Sequence, residues 1–374
     1  MNGKNFLRVR GVIRKEWLQV IRDPSSLAIA FFLPVLLLLI FGYGVSLDSQ
    51  HVPVALVVEN PGTHSQSFSG GLFQSPYFKP VPMPTIQEAE TALRQAKVDG
   101  IVWLRDNFES DYLRGESPPI SVIVNGVDAN TARLIEGYIQ GIWFSWLEQT
   151  AEKAGKTLKA PVQLEQRIWF NPQVRSTFFL IPGVMAVIMT LIGALLTALV
   201  ITREWERGTM EALLVTRISV PELLLGKLIP YFILGMGGLL LSLLMAHFLF
   251  HVPLRGSIWL LVATSALFLL VALGMGLFIS TLVRSQFVAA LVALVSTFLP
   301  AFILSGFIFD INSMPVVIQA ITHAIAARYY VAILQTLFLV GDVWSVVLPN
   351  AGALLLMALF FLGMVYRRTR KNLE

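Results

Sequence analysis

Cysteine is absent from the 374 residues, which excludes disulfides, thiol catalysis and zinc thiolates. Charge is scarce as well. Asp, Glu, Lys and Arg make up 14% of the chain, against about 25% in a soluble domain. With 55% apolar residues and a mean hydropathy of +0.70, the chain reads as a polytopic membrane protein. Its length would hold two or three soluble domains, but most of it is taken up by long apolar runs. A cleavable signal peptide is not expected. The charged N-terminal region is long, the apolar run after it exceeds a signal-peptide core, and no small-residue cleavage site follows.

Motifs that carry chemistry are missing too. A phosphate-cradling loop needs G-x-x-x-x-G-K-[ST] between a strand and a helix. Gly155-Lys156-Thr157 has Thr150 where the first glycine belongs, so no nucleotide is expected on this chain. His247 and His251 have the spacing of two ligands on one helix face, but Phe248 stands where a zinc protease carries Glu. No G-x-S-x-G occurs. The reading is therefore no catalytic residue, no cofactor and no metal. The second, fourth, fifth and sixth apolar runs hold no Asp, Glu, Lys, Arg or His, so no proton or ion relay is expected in them. Energy for any transport must come from outside the chain. The net charge of +5 is assigned to cytoplasmic flanks rather than to nucleic acid.

What is present is a set of apolar runs, each near the ~20 residues that cross a bilayer as a helix. Residues 1–26 form a cytoplasmic interfacial segment. At about 100° per residue, Phe6, Val9, Ile13, Trp17 and Val20 share one side of a helix over Lys4–Arg22, and Arg8, Lys15 and Arg22 the other. That pattern suits the anionic inner leaflet. Asp23-Pro24 restarts the chain as cap and first helical residue. Residues 27–47 are span one, with Pro34 at an expected kink. Residues 48–175 read as an extracytoplasmic α/β domain. Strands are expected at Pro53–Gly62, Gly100–Leu104 and Pro119–Val124, and helices at Thr85–Val98, Phe108–Leu113 and Asn130–Ala154. Residues 176–374 carry spans two to six at Phe178–Ile201, Leu223–Phe250, Ile258–Leu282, Phe287–Phe309 and Val343–Tyr366. Lys227, near the inner end of span three, is expected to snorkel. The broken apolar stretch 310–342 reads as a re-entrant hairpin before the last span. Within it Arg328 needs a partner, and Asp310 or Asp342 is the expected one.

Basic residues fix the orientation. The proposed inner segments hold fifteen of the 28 lysines and arginines, and the short outer segments after span three hold only Arg255 and Arg328. The inserted domain holds the remaining eleven, which is compatible with the outside because long domains translocate largely regardless of charge. Six spans with both termini cytoplasmic satisfy the positive-inside rule.

The polar island Thr202–Glu222 is longer and more charged than a turn requires. Gly208 permits a sharp turn, Thr209 can cap a short helix, and Glu211 suits its first turn. Met210, Leu213 and Leu214 then form an apolar knob ringed by Glu204, Glu206, Arg207 and Glu211, the makeup of a protein contact. Ser219 and Glu222 make a capping box for the next helix.

Five segments together resemble the permease subunits of type-2 ATP-binding-cassette (ABC) transporters, in the bacterial multidrug-export-like branch. They are KEWLQVIRDP at Lys15–Pro24, RIWFNP at Arg167–Pro172, FFLIPG at Phe178–Gly183, TREWERGTMEALLVT at Thr202–Thr216 and GKLIPY at Gly226–Tyr231. Trp205 stands where a charged residue is common and Arg217 where proline is common. The resemblance implies a bacterial inner-membrane exporter subunit. A separate soluble ATPase, holding ATP and Mg, would dock on Glu204, Arg207, Gly208, Thr209 and Glu211. A second permease chain, identical or paralogous, would complete the pump, with membrane lipids around it and a periplasmic adaptor as a further partner. An amphipathic or apolar cargo fits spans so poor in charge. The alternative is a membrane receptor whose outer domain senses a ligand.

Overall fold

The computed structural model describes residues 3–44, 51–114, 120–125, 129–153, 175–208 and 219–369. It divides into two compact units, Met1–Ser46 with Ile168–Glu374 and Leu47–Arg167.

The first unit begins with α1 (Gly3–Ile21) and α2 (Pro24–Gly44). Asp23 caps α2 by accepting from the Ser25 N–H at 3.2 Å and the Ser26 hydroxyl at 2.7 Å. A wide turn, with the Leu33 N–H reaching back to the Ala28 carbonyl, precedes Pro34. A proline ring clashes with the carbonyl four residues back, and the extra residue in that turn lets the helix absorb it.

The second unit is a four-stranded sheet with helices on both faces. In chain order it runs β1 (Val52–Val58), α3 (Thr63–Gln74), β2 (Phe78–Met83), α4 (Ile86–Arg94), β3 (Gly100–Leu104), α5 (Phe108–Arg114), β4 (Ile120–Val124) and α6 (Ala129–Lys153). The spatial order is β2-β1-β3-β4. β1 is parallel to β2 and β3, and β4 is antiparallel to β3. One face packs Val54, Leu56, Val102 and Leu104 against Phe68, Phe108, Ile135 and Trp146 of α3, α5 and α6. The other packs Ala55, Val57 and Ile101 against Ala89 and Ala92 of α4. Strand β2 and helix α3 escaped the sequence reading. Pro80 and Pro82 argue against a strand, and α3 (THSQSFSGGLFQ) is rich in residues that favour loops.

The first unit resumes with α7 (Ser176–Glu206), α8 (Val220–Leu249), α9 (Ile258–Leu282), α10 (Gln286–Leu304), α11 (Val316–Thr322), α12 (Ala326–Val340) and α13 (Trp344–Arg368). Among the described residues six helices, α2, α7, α8, α9, α10 and α13, are long and apolar enough to cross a membrane. α7 is the hub. It is apolar all round over Phe178–Ile201, as a helix enclosed by others must be, and nearly all of that stretch is buried. It meets α9 through small residues, the means by which helix backbones approach closely in membranes. Gly276 has no room for a Cβ against the Ala194 carbonyl and Thr197 hydroxyl, nor Gly193 against Ala272. The Thr197 hydroxyl donates to the Leu273 carbonyl at 2.9 Å, and Ser280 Oγ accepts from the Ile201 and Thr202 N–H groups at 3.0 and 3.1 Å. α11 and α12 are bent by 86° across their short break.

α1 keeps part of the expected apolar side, with Val9 and Val20 buried and Arg8, Lys15 and Arg22 exposed, but its buried face is turned to include Val12 and Glu16 and to leave Trp17 exposed. Val12 packs tightly over Gly226 of α8. Leu7, Leu18 and Ile21 are exposed as well.

Candidate functional site

The polar island is shorter than the sequence suggested. α7 continues through Glu206 and α8 starts at Val220, with Ser219 and Glu222 forming the expected capping box. The Ser219 N–H donates to Glu222 at 2.8 Å. α7 stops at Gly208, whose φ of +66° is the left-handed conformation glycine adopts without strain. Arg207 and Gly208 are exposed there. Thr209 and Glu211 lie outside the described residues.

Four consecutive side chains just before that stop tie α7 to its surroundings. The Arg203 guanidinium donates to Asp23 at 2.7 Å, reaching the start of α2. Glu204 is ion-paired with Lys15 of α1 and with Lys227 of α8, the latter at 3.3 Å. Trp205 lies under the Arg284 guanidinium, 5.0 Å from it, in the turn between α9 and α10. Glu206 accepts the Gln286 N–H at 2.6 Å, at the first turn of α10.

Glu204 belongs to a ring of alternating charge. Lys227 also meets Glu16 at 2.9 Å, and Lys15 lies 3.4 Å from Glu16. Lys227, Glu16 and Glu204 are all nearly fully buried. Burying these charges is costly unless each is paired, and the alternation gives every member an opposite neighbour. Burial works against the charge on Lys15, but the bond to Glu204 and the attraction of Glu16 outweigh it and raise its pKa. Burial likewise opposes ionisation of Asp23, and the bonds from Ser26 and Arg203 overcome it and lower its pKa.

Two expectations change. Glu204 is not on the rim of a loop; it is inside the protein, because its partners Lys15 and Lys227 come from helices distant in sequence. Lys227 does not snorkel; it turns inward to two carboxylates. Glu16 was not anticipated, and Asp23, expected only as a cap, was not matched to Arg203. The signal that could have exposed Glu16 is Lys227 itself, a lone cation in a long apolar helix, which needs a partner somewhere.

The expected hairpin ion pair is not formed. Arg328 donates to the Gln319 carbonyl at 3.2 Å and to the Thr322 hydroxyl, and lies 3.0 Å from His323 Nδ1. Asp310 accepts from the Asn312 N–H at 3.0 Å, and Asp342 from the Ser257 N–H at 2.7 Å at the start of α9. The carbonyl and hydroxyl groups of the last turn of α11 satisfy Arg328 locally, and both aspartates are occupied as caps. Among the described residues no cluster of three metal-ligating side chains occurs.

The profile of the "ABC-2 family transporter protein" family matches residues 24–367. The chain is 46% identical to the probable multidrug ABC transporter permease YbhS of Escherichia coli (strain K12), over 99% of this chain and 98% of that one. It is 27% identical to the probable multidrug ABC transporter permease YbhR of the same strain, over 92% and 94%. It is 30% identical to the inner membrane transport permease YhhJ of the same strain, over 80% of each chain.

Proposed function

The chain belongs to the ABC-2 transporter family, and from that premise we propose that it is the permease subunit of an ATP-driven exporter. A separate ATPase, carrying ATP and Mg, docks on the segment between α7 and α8. Arg207 and Gly208, with Thr209 and Glu211 beyond the described residues, form the contact. Glu204 stands behind it as the anchor. A second permease chain, identical or paralogous, completes the transporter. Both termini and the docking segment face the cytoplasm, and the inserted α/β unit faces outward, where it can meet a periplasmic adaptor. The bent pair α11–α12 dips into the membrane from the outer side. An amphipathic or apolar, drug-like or lipid-like cargo fits a unit whose helices carry so little charge.

One observation carries this reading. Arg203, Glu204, Trp205 and Glu206 bind α7 to α1, α2, α8 and the α9–α10 turn. A push on the segment that follows them reaches five helices at once, as packed elements transmit displacement rather than absorb it. The test is co-purification. Arg207→Ala with Glu211→Ala is expected to strip the ATPase from the solubilised permease while leaving the permease folded. Undiminished ATPase in the preparation would count against the docking assignment. Uptake of a lipophilic dye into inverted membrane vesicles, dependent on ATP, checks the direction.

A further inference from the structure

The two edges of the inserted sheet are built differently. On β2, the Val52 N–H donates to the Tyr77 carbonyl. Alternation along the strand then turns Lys79 and Val81 toward β1, and Phe78, Pro80 and Pro82 outward. Two of those three outward positions have no N–H to offer, a common guard against strand addition. On β4, the Asn125 N–H donates to the Asp99 carbonyl. The antiparallel register therefore turns Ser121 and Ile123 toward β3, and the N–H and C=O groups of Ile120, Val122 and Val124 outward. This row carries neither proline nor charge, and among the described residues nothing hydrogen-bonds to it. Beside it runs a groove of about 350 Å³ lined by Ile120, Val122, Ile139 and Trp143, with Glu136 and Gln140 on its exposed rim.

We propose that the outer edge of β4 pairs with β4 of a second copy of this chain, so that two inserted units share one continuous sheet. The row is self-complementary. It has three outward residues centred on Val122, so an antiparallel partner related by a two-fold axis places the partner's Val124 opposite Ile120 and the partner's Val122 opposite Val122. Each such pair exchanges two N–H···O bonds. The side chains delivered over the groove are those of Ile120, Val122 and Val124, apolar like its walls. The prolines of β2 make the arrangement finite: the sheet can grow on one side only, which yields a closed pair rather than a fibre. This rests on the reading that two permease chains make one transporter, and it selects identical chains.

The lack of cysteine makes the test direct. Two differently tagged full-length copies, both Ser121→Cys, are co-expressed and treated in native membranes with a short bis-maleimide. Across the proposed axis the two Ser121 Cα atoms are about 8 Å apart, from a rise of about 3.4 Å per residue and a strand spacing of about 4.8 Å. The expected result is a product carrying both tags, absent when the thiol is Lys79→Cys on the guarded edge. Adding Val122→Pro removes an N–H that bonds to nothing among the described residues, giving β4 the guard that Pro80 and Pro82 give β2, and is expected to lower the product about tenfold through two lost hydrogen bonds. Val122→Thr keeps the N–H and the product. Ile120→Lys, a charge set at the groove, is the second disrupting variant should the proline variant fail to accumulate. No two-tag product from Ser121→Cys, a product undiminished by both disrupting variants, or coupling to a different protein would overturn the pairing. ATPase co-purification is followed in the same samples. An ATPase that stays bound while no two-tag product ever forms overturns the strand pairing alone and leaves the permease reading standing.

Discussion

Replacing Lys227 by Met removes one charge and keeps most of the side-chain volume. In the native protein the ammonium lies 2.9 Å from Glu16 and 3.3 Å from Glu204. After the change Glu204 keeps Lys15, but among the described residues Glu16, 1% exposed, keeps as its cation only Lys15 at 3.4 Å, and that lysine side chain is 46% exposed. Breaking a buried pair by removing one partner costs about 3–5 kcal/mol. The surviving lysine places the expected loss at the lower end, about 3 kcal/mol, or roughly a hundredfold in the folding equilibrium at 1.4 kcal/mol per factor of ten. Removing both partners reverses most of this, because apolar residues of similar volume often replace a buried ion pair without loss. Glu16→Leu with Lys227→Met is therefore expected within about 1 kcal/mol of the parent, a non-additivity typical of groups in contact. Chemical unfolding of the detergent-solubilised protein measures all three variants. Transport in vesicles then reports whether the double variant, folded but no longer joining α1 to α8 by charge, still couples. The reasoning fails if the single change costs under 1 kcal/mol, or if the double variant is as unstable as the two single costs added.

Three further outcomes follow from the packing and from the inserted unit. Gly276→Val forces a side chain into the Ala194 carbonyl and Thr197 hydroxyl of α7. Overpacking of this kind costs about 1–3 kcal/mol or more, and a lower melting temperature with poor recovery from membranes checks it. Glu109 accepts from the His64 and Ser65 backbone N–H groups, at 3.2 Å each, and lies 2.8 Å from His64 Nδ1. Burial opposes its ionisation, but these bonds prevail and hold its pKa below the ordinary 4.5. A depressed carboxyl contributes stability above its unfolded pKa and loses it as pH falls through the folded value. Amides at the start of α3 should therefore lose hydrogen-exchange protection below about pH 4.5 in the parent, and already be weakly protected at pH 7 in Glu109→Gln. Asp342→Ala removes the acceptor for the Ser257 N–H. The expected cost is about 1 kcal/mol, as for other helix caps, seen as faster exchange at the start of α9 and no change elsewhere.

Much of the architecture was legible because the information is local. A run of apolar residues reports burial in lipid or protein without reference to any other segment, and Ile258–Leu282 was placed to the residue. Asp23-Pro24 and Ser219 with Glu222 are caps whose chemistry operates over three residues. Gly100–Leu104 is a β-branched run between turns. Legibility stopped where a residue's meaning depends on what faces it. Pro80 and Pro82 look like strand breakers and are compatible with β2 only because it is an edge. Arg328 was matched to the wrong acids because its satisfying groups, a carbonyl and a hydroxyl, leave no trace in a count of charges.

Composition and periodicity alone determined that this is a polytopic helical membrane protein with an inserted α/β unit, since burial of apolar surface needs no particular partner. Only the folded arrangement decided that Lys15, Glu16, Glu204 and Lys227 form one ring, that Val12 of α1 packs over Gly226 of α8, and that β2 and β4 are the outermost strands of the sheet. Charge pairing and strand pairing act over a few ångströms between residues far apart in the chain. Which charge meets which, and which strand lies outermost, therefore depends on the topology that hydrophobic packing has already set.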